Sequence, residues 1–165
     1  MEKTKVLITD KQLRVSDIAS SLLGKHVEVL NKKSGAPYVV GEDAFVSVSH
    51  KKAFVVVGVS AKNVGVDIEL IDEKDSVFKI AKKYFGEEIE SGDYDAFYRS
   101  WTKKESLGKI TEKGITRSLL SLDTSTDVFV DKEGKTIYFN HFKFDKFIVT
   151  VADYTNDVEF VLDKK

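Results

Sequence analysis

The 165-residue sequence contains no cysteine, which excludes disulfide staples and thiolate metal ligands and fits a reducing compartment. It also lacks an excess of charge of either sign. With 26 Lys and Arg against 27 Asp and Glu, no global field draws the chain to nucleic acid or to an anionic membrane, and recognition falls to local patches. Long apolar runs are missing as well. The run Val6-Leu7-Ile8 near the start is far too brief for a signal h-region or a membrane span, so the expectation is a soluble, cytoplasmic protein. No low-complexity segment or linker interrupts the chain, whose length suits one compact unit or two small halves with a real core.

What is present is an alternation of strand and helix signals, which predicts an α+β fold. Residues 4–8 read as a strand, and residues 13–23 as a helix that buries Leu13, Ile18, Ala19, Leu22 and Leu23 and closes at Gly24. Short strands follow at Val27 to Leu30 and Tyr38 to Val40, separated by a turn through Gly35 and Pro37. Phe45 to Ser49 and Phe54 to Val59 then form a hairpin around His50-Lys51-Lys52-Ala53. A second helix repeats Val77, Ile80, Ala81, Tyr84 and Phe85 at helical spacing, and a third runs from Tyr94. Beyond Gly114 the chain returns to strands at about 128–130, 136–139, 147–151 and 158–162. The stretch from Phe45 to Ser60 also resembles Tyr138 to Asp153, a faint repeat that fits two half-units, 1–62 and 63–165, or equally two β-rich hairpins that share Phe and Val.

The chemistry concentrates on acids in unusual places. On the third helix Tyr94, Phe97, Tyr98, Trp101 and Gly108 mark a buried stripe; Glu105 falls in its middle while Lys103 points the opposite way. A buried carboxylate is costly unless a cation or hydrogen-bond donors meet it. Upstream, Val64-Gly65-Val66-Asp67-Ile68-Glu69 reads as a strand with two carboxylates on one face, about 7 Å apart. Taken alone, Asp-x-Glu is a solvated face and Glu105 with Lys109 an ordinary helical ion pair. Taken together, three convergent acids point to a hard metal ion.

The string Trp101-Thr102-Lys103-Lys104-Glu105-Ser106-Leu107-Gly108-Lys109, placed after Gly65-Val66-Asp67-Ile68-Glu69, resembles the two signatures of the 4′-phosphopantetheinyl transferase superfamily. Val48-Ser49-His50 before a hairpin, Gly35-x-Pro37-Tyr38, Tyr84-Phe85 with Glu88, and Gly114 extend the resemblance over roughly residues 14–153. It is closest in kind to the two-halved, surfactin-synthetase-activating type, with a shortened N-terminus.

The resemblance implies two similar α+β halves about a pseudo-twofold axis, with coenzyme A in the cleft between them. It implies transfer of the phosphopantetheine arm to a serine of an apo acyl or peptidyl carrier protein, releasing adenosine 3′,5′-bisphosphate. Asp67, Glu69 and Glu105 are then the ligands of Mg²⁺, which favours oxygen donors. Lys109 and Lys104 are expected at the phosphates, and Glu105, directly or through a metal-bound water, as the base. Ser49, His50 and Arg14 are expected at coenzyme A, although His50 also reads as a turn residue and Arg14 as a solvated helix end. His26 and His141 carry no functional reading. Ala36 stands where the family has a basic residue, leaving Lys32 and Lys33 to compensate. Leu107 and Ile110 face either a carrier protein or, the preferred reading, the C-terminal strands. Both halves in one chain imply a monomer. The competing functions are a Mg²⁺-dependent nucleotide pyrophosphate hydrolase and a non-catalytic coenzyme A or carrier-protein binder.

Overall fold

The strand and helix signals resolve into ten strands and four helices in the computed structural model, which describes residues 1–165. In chain order these are β1 (Thr4–Thr9), α1 (Val15–Leu23), β2 (Val29–Asn31), β3 (Pro37–Val39), β4 (Phe45–Lys51), β5 (Phe54–Ser60) and β6 (Val64–Leu70). Then come α2 (Ser76–Tyr84), α3 (Tyr94–Ile110), α4 (Arg117–Leu120), β7 (Val128–Val130), β8 (Thr136–Phe144), β9 (Phe147–Asp153) and β10 (Val158–Asp163). The mixed α+β class is as expected. No helix is long and apolar enough to cross a membrane.

Two four-stranded sheets form, in the orders β10-β1-β5-β4 and β6-β9-β8-β7, with β2 and β3 as a separate ribbon. The alternation within β5 shows how they stack. Val56 points into a cluster with Val6, Ile8, Val66, Ile68, Val149 and Val151, which fills the space between the sheets. Val55, Val57 and Val59 point the other way, onto Ile18 and Ala19 of α1 and Val39 of the ribbon. Beyond the second sheet, Leu107 and Ile110 of α3 pack on Ile137, Phe139 and Ala152, so these two residues lie under the C-terminal strands. Each fully buried valine of this kind contributes about 1.5–3 kcal/mol.

The β4–β5 and β8–β9 hairpins have matching registers: Phe45 pairs with Ser60 and Lys51 with Phe54, while Tyr138 pairs with Asp153 and Phe144 with Phe147. Each turns through two residues, the first with positive φ, Lys52 at 55° and Asp145 at 49°. The turn is therefore shorter than the sequence pattern suggests, and His50 and Lys51 belong to β4. The C-terminal strand crosses the boundary drawn at residue 62, because β10 pairs in parallel with β1 of the first sheet. Asp153, fully buried, accepts from Thr4 and Thr155 hydroxyls at 2.6 Å beside this crossing.

Two positions test this arrangement. Gly65 lies where β6 passes under α3, and a Cβ there would sit 2.0 Å from the Ser106 carbonyl oxygen. Backbone cannot yield as a flexible side chain does, so Gly65→Ala is expected to lose about 3 kcal/mol in chemical denaturation. His141 stands on β8 between Thr150 (2.8 Å) and Asp127 (3.1 Å). Burial pushes its imidazole down to about 4, against the opposing pull of Asp127. The unfolded chain therefore protonates first, and the stability held by the neutral ring is complete above about pH 6.5 and drains away toward pH 4. Urea titrations should show wild type losing on the order of 3 kcal/mol relative to His141→Gln between pH 7 and pH 4.

Candidate functional site

The edge strands β4 and β6 of the two sheets lie side by side without main-chain pairing. Backbone groups on such edges need other partners. Alternate residues of β4 reach across to supply them. Ser47 Oγ accepts from the Val66 N–H at 3.0 Å, and Ser49 Oγ accepts from the Ile68 N–H at 3.2 Å. Lys109 descends from α3 and donates to the Val48 carbonyl at 3.0 Å and the Val66 carbonyl at 2.6 Å. Side chains thus stitch the seam.

Asp67 is buried in this seam. Its Oδ1 accepts from the Ser49 hydroxyl at 3.0 Å and lies 3.7 Å from the Lys109 ammonium, whereas Oδ2 is buried with no hydrogen-bond partner. Burial raises Asp67 to about 8; Lys109 opposes the shift, while Glu69 and Glu105 add to it. Glu105 is half-buried on α3 and is also raised by burial, with Lys109 pulling the other way. Burial lowers Lys109 in turn, against the pull of Asp67 and Glu105. The carboxylates and the lysine therefore share one electrostatic neighbourhood.

The expected three-carboxylate ligand set is not assembled. No group of three His, Asp or Glu side chains stands close enough to hold one ion, and Glu69 is paired with Lys51 at 2.9 Å. Carboxylates without a cation between them repel, and the two lysines serve as counter-ions. The donor chemistry nonetheless fits a hard divalent cation: the candidates are all oxygens, and one of them, Asp67 Oδ2, is desolvated and unsatisfied.

Other expected residues lie elsewhere. Lys104 does not point to the seam: fully buried, it donates to Glu87 at 3.0 Å, the Leu122 carbonyl at 2.6 Å and Thr124 Oγ1 at 3.1 Å. Lys103, expected in solvent, is 1 % exposed and holds the Thr124 and Thr126 carbonyls and Asp127. The physical reason is the segment 121–127, which covers the face of α3 that the stripe pattern leaves outside. Glu87, rather than the exposed Glu88, is the buried acid between the two signatures. Burial pushes Glu87 up, but hydrogen bonds with Ser100, Lys104 and Thr124 hold it below the usual carboxylate range. Arg14 is exposed and its guanidinium is forked onto Asp17, because the two stand three residues apart at the start of α1. His50 is exposed on β4. Ser49 is buried, with its hydroxyl committed to Asp67 and Ile68 rather than open to a ligand.

A cleft of about 450 Å³ opens beside the seam, bordered by Ala36, Phe45, Ser47, Lys109 and Gly114 among others. Lys32 lines it too and reaches Glu112 at 2.6 Å; Lys33 is not part of the lining. Lys109 is the point where the cleft touches the acidic group.

Comparison with known proteins matches the chain to one family. The family model described as the 4′-phosphopantetheinyl transferase superfamily covers residues 63–159, which include both signature segments. The 4′-phosphopantetheinyl transferase gsp of Aneurinibacillus migulanus is 30% identical over 159 residues, covering 78% of this chain and 66% of the relative. A 4′-phosphopantetheinyl transferase of Bacillus subtilis is 33% identical over 95 residues, covering 52% of this chain and 41% of the relative. The chain thus spans less than two thirds of the length of either relative.

The position of Lys104 makes its role measurable. Lys104→Met strands the Glu87 carboxylate in the interior, and a broken buried pair of this kind should cost about 3–5 kcal/mol in chemical denaturation. Removing both charges in Lys104→Met/Glu87→Leu should recover most of that loss. A double variant no more stable than the single one would show that Lys104 is not held chiefly by Glu87.

Proposed function

Since the chain belongs to the 4′-phosphopantetheinyl transferase superfamily, we propose that it transfers the phosphopantetheine arm of coenzyme A to a serine of an apo acyl or peptidyl carrier protein. The observation that carries this reading is the unsatisfied, buried Asp67 Oδ2, on a carboxylate whose other oxygen lies 3.7 Å from Lys109, itself a lining residue of the cleft. A desolvated carboxylate oxygen without a partner suits a cation, and a lysine already anchored by two carbonyls suits a phosphate.

Asp67, Glu69 and Glu105 are the residues to hold Mg²⁺. The ion, when bound, supplies positive charge to the diphosphate oxygens. The chain's own groups do the rest. Lys109 meets the phosphate charge from a fixed position, since its ammonium is tied to β4 and β6. Glu105, raised by burial, takes the proton of the attacking serine. The serine oxygen forms its bond to the β-phosphorus, the bond to the bridging oxygen breaks, and adenosine 3′,5′-bisphosphate leaves. Ser49 acts by orienting Asp67. Lys104 and Arg14 stand outside the reacting centre, the first as a support for α3.

The matched hairpins and parallel strand orders support two halves divided near residue 62 and related by a pseudo-twofold axis, with β10 returned to the first sheet. The seam and the cleft draw on both halves of one copy, which supports a monomer.

Incubation with coenzyme A, Mg²⁺ and an apo carrier protein should add one phosphopantetheine to the carrier by mass spectrometry, and a chelator should stop the reaction. Asp67→Ala and Glu105→Ala should each abolish turnover, and Lys109→Ala should slow it about 100-fold. Near-wild-type rates in all three variants would reject the assignment. Hydrolysis of coenzyme A without modification of the carrier would instead identify a pyrophosphate hydrolase, and binding without either reaction would identify a non-catalytic binder.

A further inference from the structure

Alternation along β4 sends three side chains toward β6: Ser47, Ser49 and Lys51. The first two satisfy backbone groups and Asp67. The third places an ammonium 2.9 Å from Glu69 Oε2. Its charge also acts on Asp67 and Glu105.

The two lysines of this group are held very differently. Lys109 is anchored by two carbonyls in addition to Asp67 and is 29% exposed. Lys51 makes its contact with Glu69 alone and is 38% exposed, on the last residue of β4 before the Lys52-Ala53 turn. A flexible ammonium with one partially exposed partner is held weakly. Glu69 is thus paired with an ammonium while the buried Asp67 Oδ2 has no partner, and the acids form no three-ligand group.

We propose that Lys51 is a displaceable stand-in for the divalent cation: it neutralises Glu69 while the ion is absent, releases it when the ion arrives, and then turns its ammonium to the diphosphate of the incoming coenzyme A. This rests on the transferase reading for the identity of the diphosphate. Exchange keeps the acidic group near neutral in both states.

The test uses the full chain and two separate titrations. Calorimetry with Mg²⁺ alone should show Lys51→Met binding the ion more tightly than wild type, roughly 3-fold, because a competitor for Glu69 is gone. Calorimetry with coenzyme A at saturating Mg²⁺ should show the same variant binding coenzyme A more weakly, by about 3-fold or more. Opposite signs on the two ligands distinguish this from general damage to the site. Lys52→Met, one residue along and exposed, is the control for bulk charge and should move neither constant. The proposal is overturned if Lys51→Met leaves Mg²⁺ affinity unchanged or weakens it, if coenzyme A affinity does not fall, if Lys52→Met reproduces the shifts, or if wild type binds no Mg²⁺. The carrier-protein assay on wild type separates the two readings, since modification of the carrier with any of these outcomes leaves the transferase standing and removes only the role of Lys51.

Discussion

The seam between β4 and β6 is the constraint on which the rest of the molecule depends. Two sheet edges that do not pair with each other are brought together by hydroxyls and an ammonium, and the same groups that satisfy the backbone also orient Asp67. Structure and chemistry are therefore not separable here. A serine that accepts from a backbone N–H is fixed in position, and its own hydroxyl proton is aimed by that fixation. Lys109 obeys the same logic: its two carbonyl acceptors hold α3 against both sheets while leaving its charge at the cleft.

Much of this was legible in the sequence because period-two and period-3.6 patterns carry it. Asp67 and Glu69 fall on the face of β6 toward α3 because residues two apart on a strand must, and Glu105 with Lys109 comes to meet them because residues four apart on a helix share a side. The repeat of Phe45–Ser60 in Tyr138–Asp153 is matched by hairpins of equal register. The elements that are buried along nearly their whole length, such as β5 and β9, lie close to their expected bounds.

What the sequence concealed lies where tertiary contacts override surface habits. Lys103 and Lys104 look like solvated residues or ligand groups, yet both are buried because the segment 121–127 offers carbonyls that no periodicity announces. Glu87 is invisible for the same reason, since an acid in Gly-Glu-Glu reads as loop. The only available signal was the pairing itself: a buried lysine demands a buried partner. Ser49 was legible as a site residue but not as one whose hydroxyl is already occupied, and that depends on the approach of β6. Lys51 was hidden by a turn that proved two residues shorter than its polar stretch.

The return of β10 to the first sheet has a consequence for motion. Because β10 runs beside β1, from Thr4 opposite Val158 to Thr9 opposite Asp163, the first sheet is completed by a strand that follows the whole of the second sheet in the chain. Neither sheet can part from the other or melt by itself without straining that pairing, so the molecule should lose its structure in one cooperative step.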